Sequence, residues 1–386
     1  FTPSRYLKEF LIGPAVKDKR KMNFLFNSFR KNLYIIDLEK IIRKKLNFKK
    51  KINFLNHHMC HLASAYYPSS FKNSLVVSLD GLGEVDTTMF ATAKNQTINV
   101  LKKKTIKFPN SLGLIYAAFT KFLGWKPFYD EGIIMGLAPY GSSKNKIPNS
   151  KITYKDLLKK IIIYNNGTGY KINTKWISYN YQRDSWFSSD FFRIVGRMRN
   201  HKEPIKKHHK DLAAALQERI EEVFLKILKN LKKKTKMSNL CLAGGVALNC
   251  SMNGKIYNKK LFDNIFIQPA SGDSGTAIGA AIIGYKKHFP KKKIIFKNFY
   301  LGSNFKTNHV QKILDRNKKK IKFRFYRDIY KETSKILNDS KIVAWFQGGA
   351  EFGPRALGNR SILSRPYPKK IKDHINKNVK FRETFR

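Results

Sequence analysis

Negative charge is scarce in this chain: its 386 residues carry 26 Asp and Glu against 77 Lys and Arg, a formal net charge of +51. Cysteine is scarcer still. Cys60, Cys241 and Cys250 make an odd set without a CxxC pair, which excludes a disulfide-rich secreted scaffold and a cysteine-only zinc site. A reducing, cytoplasmic compartment is the expectation. Long apolar runs are missing as well; no stretch of about 18 apolar residues occurs, so no membrane-spanning helix is expected. What is plentiful is core-forming material. At 42% hydrophobic and 13% aromatic residues, the chain has too much of it for a disordered basic arm. At roughly 150 residues per domain, the length suggests about two or three domains.

The positive charge is spread out. Basic runs occur at Lys17 to Lys21, Arg43 to Lys51, Lys102 to Lys104, Lys232 to Lys236, Lys291 to Lys293 and Lys318 to Lys322. They are mostly Lys, and none reads as a phosphate-tracking groove, which would favour Arg and interleave aromatics on one face. The runs read as solvated faces and loop tips, and nucleic acid is not expected as a partner.

Periodicity places an amphipathic helix at Leu38 to Leu46 and a buried strand at Ser74 to Leu79, ending in Asp80-Gly81, with a hairpin partner at Thr88 to Ala93. Helices are predicted over 111–124, 130–141 and, most clearly, Lys210 to Leu231. Residues 142–205 have weak periodicity and read as an insertion. Strands at Asn239 to Ala243 and Asn264 to Gln268 are each followed by a Gly-containing turn and a helix, Val246 to Lys255 and Thr276 to Tyr285. This alternation indicates an α/β class. The Lys- and Pro-containing stretch 286–297 is the expected domain boundary. Helices near Val310 to Asn317 and Ile329 to Asn338, a strand at Ile342 to Phe346 and a Gly-rich loop at Gln347 to Gly358 follow it.

Three groups of residues carry chemistry. Gly244-Gly245 and Gly272 to Gly275 sit between a strand and a helix, where glycine lets backbone approach a phosphate and the helix N-terminus favours the anion; tight turns also use Gly for steric reasons alone. With the strand ending in Asp80-Gly81, they predict a nucleotide cleft, in which Asp80 and Asp273 can hold a metal bridging phosphate oxygens. His57 and His61 are four apart and share one helical face, which suits two ligands to one metal; a structural pair is the alternative. His58 falls off that face, and His208 and His209 read as structural. The third group is Gln347 to Ser361, where Gly353-Pro354 sets a turn carrying Arg355. Arg360, Arg382 and Arg386 follow, and such arginines grip carboxylate or phosphate. The alternative is a turn with Glu351 paired to one Arg.

The segments NHHMCHLASAYYPSSF (56–71), VVSLDGLGE (76–84), SLGLIYAAFTKFLG (111–124), DEGIIMGLAPYG (130–141), LAGGVALNCSMNGKI (242–256), PASGDSGTAIGAA (269–281) and FQGGAEFGPRALGNRSIL (346–363) together resemble carbamoyltransferases of the NodU/CmcH family, in the family's order and over nearly the whole chain. The last segment is highly specific to that family. Departures are Ile133 and Gly349, where the family usually has Lys and Arg, and Thr384, where it usually has Pro.

The resemblance implies an actin-like ATPase (ribonuclease H-like) domain at 1–290. An incomplete α+β domain similar to threonylcarbamoyl-AMP synthases (YrdC-like) would follow at 298–386. It implies that carbamoyl phosphate and ATP yield carbamoyl-adenylate in the C-terminal domain, and that the N-terminal domain passes the carbamoyl group to a hydroxyl of a sugar or secondary metabolite. His57, His61, Asp80 and Asp273 would hold a divalent metal, usually written as iron, with magnesium also considered. Gly81, Gly244, Gly245, Asn249 and Gly275 would face the nucleotide, and Glu84 or Glu131 would border the acceptor. Asp80 and Arg355 would be catalytic, with Arg360 or Arg386 assisting in binding carbamoyl phosphate or the adenylate.

The chain starts at Phe1 and stops at Arg386 without a closing signal, so it reads as a fragment, expected to be inactive by itself although its parent is active. A tRNA threonylcarbamoyladenosine-type transferase is the main alternative, but it lacks the EFGPRALGNRS block. A hydrogenase-maturation carbamoyltransferase would show CxxC zinc pairs and the opposite domain order. A basic binding module is the remaining class.

Overall fold

Residues 38–180 and 185–386 are described by the structure, a computed structural model of the chain. The run Lys17 to Lys21 lies outside them. The chain divides into two compact units between Ile295 and Phe296.

The first unit is organised by one mixed sheet. The run at 74–79 forms the middle of β1 (Asn73–Gly83), which pairs antiparallel with β2 (Asp86–Lys94) and parallel with β7 (Asn239–Ala243). β3 (Thr97–Val100) and the short β4 (Ile106–Lys107) extend β2, and β8 (Asn264–Ile267) runs parallel to β7, giving the order β3-β2-β1-β7-β8. β1 does not stop before Asp80 as expected. It continues to Gly83 through a register shift between Leu79 and Gly83, while its parallel pairing with β7 ends at Ser78 and Ala243. That irregularity takes Asp80 out of the regular ladder, as β-bulges beside sites do.

Helices cover the sheet. α1 (Leu38–Leu46) is surface-exposed. α2 (His57–Tyr66) starts where the Asn56 side chain accepts the Met59 N–H (3.0 Å) and packs Leu62, Ala65 and Tyr66 against Val76, Met89, Ala91, Cys241 and Ala243. α3 (Leu112–Phe122) is capped by Ser111, and α4 (Glu131–Leu137) runs into a short 3-10 turn at Ala138–Tyr140.

The 142–205 segment, read as an insertion, carries ordered elements. It forms α5 (Tyr154–Ile161), a hairpin of β5 (Ile162–Tyr164) and β6 (Tyr170–Ile172), and α6 (Ser189–Val195). Phe187 and Phe191 stack on each other 4.0 Å apart and meet Phe119 and Phe122 of α3 edge-on. Its apolar anchors are too widely spaced to register as periodicity.

The long helix α7 (Lys207–Thr235) buries Leu212, Leu216, Ile220, Val223, Ile227 and Leu231 along one face. After β7, the predicted single helix is split. A 3-10 turn spans Gly245–Leu248 and α8 spans Cys250–Asn258, because Asn249 stops one and caps the other through its oxygen on the Met252 N–H. α9 (Ser274–His288) lies directly on α2; a Cβ at Gly279 would fall 1.8 Å from the Cys60 carbonyl oxygen, so only glycine permits that approach.

The second unit holds α10 (Thr307–Arg316), α11 (Ile329–Asn338), the antiparallel pair β9 (Val343–Phe346) and β10 (Arg360–Leu363), and α12 (Lys370–His374).

Candidate metal centre

The contact between α2 and α9 brings four side chains together at the C-terminal edge of the parallel strands. His57 Nε2 lies 2.9 Å from Asp80 Oδ2, 3.1 Å from His61 Nε2 and 3.5 Å from Asp273 Oδ1. His61 Nε2 lies 3.5 Å from Asp80 Oδ2 and 3.8 Å from Asp273 Oδ1. All four ligand atoms fall within 4.8 Å of one another. Bonds of about 2.1 Å to one ion separate neighbouring donors by about 3.0 Å in octahedral and about 3.4 Å in tetrahedral geometry, so the observed spacings suit a single shared cation. Two imidazoles and two carboxylates are also the right donors for a first-row transition metal, and two negative charges balance a divalent ion.

Electrostatics agree with this. Burial acts against a charged imidazole at His57, but the hydrogen bond to Asp80 and the charges of Asp80, Asp273 and Glu84 outweigh it, and its pKa rises above 6.5. Burial would raise the Asp80 pKa, yet hydrogen bonds from His57 and His61, the charge of His61 and the Gly245 N–H hold it well below the ordinary carboxylate value. Asp273 does not end a strand. It is the exposed residue preceding α9, six residues beyond β8, and reaches the histidines because α9 leans on α2. His61 is fully buried, and its Nδ1 has no hydrogen-bond partner among the described residues.

The glycines have steric duties. Gly244 has φ +93°, and a Cβ there would fall 2.3 Å from the Leu79 carbonyl oxygen; at Gly275 it would fall 2.0 Å from the Ala270 oxygen. Their N–H groups are engaged inside the protein: Gly244 with Ser271 O (2.8 Å), Gly275 with Gly272 O (2.9 Å), and Gly245 with Asp80 Oδ1 (2.9 Å). The Gly81 carbonyl accepts the Ser111 hydroxyl at 2.6 Å. Asn249 uses its amide on the α8 cap and on Gln217. Glu84, buried at φ +60°, lies beside the start of α2, with Asn56 Nδ2 donating to its Oε2 at 3.5 Å. Glu131 accepts the Phe128 N–H at 2.5 Å in the first turn of α4, and burial pushes its pKa up.

Two supporting residues escaped sequence reasoning. His58, off the ligand face, is fully buried, with Nδ1 2.7 Å from Ser78 Oγ and Nε2 2.8 Å from the Asp86 carbonyl. Burial pulls its pKa down to about 4, and it pins α2 onto β1 two residues before Asp80. Gln217, in the middle of α7, is the other. His58 lies within the HxxxH segment but off its ligand face, and Gln217 sits in no chemistry-bearing motif.

In the second unit, Arg360 is committed to the loop. Its guanidinium donates to the carbonyls of Gln347 (2.6 Å), Gly348 (3.1 Å) and Ser303 (3.1 Å), and lies 3.5 Å over the Phe346 ring. Glu351 is held by the backbone of the same loop. Its Oε1 accepts the N–H groups of Leu357, Asn359 and Arg360, which draw its pKa to about 2. Arg355 is exposed on the same loop. The pKa of Arg382 is lowered by burial and then by the charge of Arg386, whose carbonyl accepts from Asn376 Nδ2 at 2.6 Å. At Gly349 a Cβ would fall 2.5 Å from the Tyr300 carbonyl, so this loop has no room for the Arg usual in the resembled family.

The family model for the carbamoyltransferase N-terminus matches residues 6–282, which include all four candidate ligands, and that for the carbamoyltransferase C-terminus matches 334–386. The chain belongs to the carbamoyltransferase family. Within it, the chain is 35% identical to Uncharacterized protein sll1178 of Synechocystis over 342 residues, 86% of this chain and 54% of that protein. Nodulation protein NolO of Bradyrhizobium diazoefficiens is 34% identical over 86% of this chain and 57% of its own length. The 3'-hydroxymethylcephem-O-carbamoyltransferase of Streptomyces clavuligerus is 27% identical over 75% of this chain and 49% of its own. The chain thus spans about half the length of the curated relatives it matches. Among the described residues, no helix is long and apolar enough to cross a membrane.

Proposed function

We propose that this protein transfers a carbamoyl group from carbamoyl phosphate, activated with ATP as carbamoyl-adenylate, to a hydroxyl of a sugar or other small molecule. The observation that carries the proposal is the His57–His61–Asp80–Asp273 group inside the segment that matches the carbamoyltransferase N-terminus. The cephem relative, named as an O-carbamoyltransferase, supports a hydroxyl acceptor. In the first half-reaction water cleaves carbamoyl phosphate to carbamate and phosphate, and the carbamate oxygen displaces pyrophosphate from the α-phosphorus of ATP, giving carbamoyl-adenylate. In the second, the acceptor oxygen bonds to the carbamoyl carbon, the bond from that carbon to the AMP phosphate oxygen breaks, and the acceptor proton is released.

The cation, iron by family resemblance, supplies Lewis-acid stabilisation of negative charge on the departing phosphate when bound. The chain's own residues prepare that position. His57 and His61 present ring nitrogens from one helix turn, Gly245 orients Asp80, and α9 delivers Asp273. Glu84, beside His57, is the better placed of the two glutamates to border the acceptor. Arg355 is assigned to the carbamoyl phosphate or adenylate in the second domain, where a guanidinium grips an anion bidentately. Arg386 is a weaker partner in this role, and Arg360 serves the loop that carries Arg355.

ATP–pyrophosphate exchange that requires carbamoyl phosphate, measured on the chain completed to the length of its relatives and followed by a screen of nucleotide sugars, tests the reading. Exchange dependent on the donor is expected; no exchange removes the adenylate route.

A further inference from the structure

The Gly244–Asn249 turn holds Asp80 through the Gly245 N–H, and the turn is itself held by one buried amide. Gln217, 6% exposed in the middle of α7, uses its full hydrogen-bonding capacity. Its Nε2 donates to Glu221 Oε1 at 2.7 Å and Asn249 Oδ1 at 3.0 Å, and its Oε1 accepts from the Tyr116 hydroxyl at 2.9 Å and Asn249 Nδ2 at 3.0 Å. Gln217 and Asn249 therefore form a reciprocal amide pair. Asn249 Oδ1 also accepts the Met252 N–H at 3.0 Å, so the same oxygen caps α8. Lys255 of α8 closes the network on Glu221.

We infer that Gln217 is a positioning residue for the metal centre: by locking Asn249 it fixes the 244–249 turn, and through Gly245 it fixes which Asp80 oxygen faces the histidines. Gly245 N–H takes Asp80 Oδ1 at 2.9 Å, which leaves Oδ2 for His57 and His61. A buried, fully satisfied polar network has one low-energy arrangement, and losing one member leaves the others unpaired. Packing of α7 alone would be served equally by an apolar residue of similar size at 217. This inference rests on the metal reading only in its last link, because the turn can be observed without any ligand.

Two variants test it. Gln217→Leu keeps the volume and removes all four hydrogen bonds; Asn249→Asp keeps the α8 cap and sets a carboxylate oxygen against Gln217 Oε1. In both, amide exchange of peptides covering 244–253 is expected to accelerate at least tenfold while that of 57–66 stays within about twofold, and cobalt(II) affinity is expected to fall about 10- to 100-fold, the usual cost of removing support for a metal ligand. Unchanged exchange at 244–253 in Asn249→Asp overturns the positioning role, as does uniform acceleration across both peptides in the two variants. Accelerated exchange with unaltered cobalt affinity overturns the link to Asp80. If the parent chain binds no cobalt, the metal reading fails, and the exchange result alone decides whether Gln217 holds the turn.

Discussion

At the scale of single residues, the HxxxH spacing and the carboxylates Asp80 and Asp273 could be picked out because ligand chemistry uses few residue types at few spacings. What sequence could not show is what surrounds them. Asp80 owes its orientation to a glycine N–H 165 positions away, and His58, read only as off the ligand face, turns out to be buried between Ser78 and Asp86. Replacing His57 or His61 by Ala is expected to abolish carbamoyl transfer while leaving ATP–pyrophosphate exchange within about a few-fold of the parent, since tuning of the transfer site alone is lost; parallel assays of the two half-reactions check this.

Two buried histidines set a pH dependence. His58 and His209 are both held neutral, at about 4, chiefly by burial. Unfolded, they take a proton near the ordinary 6.5, so their contribution to stability is present above that value and is lost as pH falls toward 4. His57 has the opposite sign. Its raised pKa stabilises the fold below 6.5, and that contribution is lost as pH rises through the folded value. With two groups against one, the metal-free protein is expected to melt at a lower temperature at pH 5 than at pH 7. His209→Gln should reduce that difference, as thermal scans across the pH series would show.

At the scale of elements, strongly periodic segments were readable: β1, α3 and α7 arise where alternation or a 3.6-residue repeat is clear. The split of the helix after β7 was not, because a single Asn both ends one element and caps the next. Nor was the structured nature of 142–205, whose core contribution comes from separated aromatics such as Phe187 and Phe191. Phe191→Ala should therefore cost about 3–5 kcal/mol, as for a fully buried aromatic, in chemical denaturation. A loss under about 1 kcal/mol would return the segment to the status of an appendage. Asn56→Ala should cost about 1 kcal/mol through loss of the α2 cap and should weaken metal binding as well, because the cap fixes the turn that carries His57.

At the scale of the whole molecule, the charge of +51 says least about the chemistry. The candidate site is a small cluster of two histidines and two carboxylates in a strongly basic chain, and family membership is carried by a few histidines, aspartates, glycines and arginines. Scattered lysines should give binding to random duplex DNA that is independent of sequence and shallow in its salt dependence. A steep slope would point to a dedicated basic groove instead.

The most direct test of the central claim is metal stoichiometry. The protein, dialysed anaerobically against iron(II) and analysed by elemental mass spectrometry, should retain one equivalent, and the His57→Ala, His61→Ala and Asp80→Asn variants should each retain well under half. Equal retention by parent and variants, or none by the parent, would contradict the account.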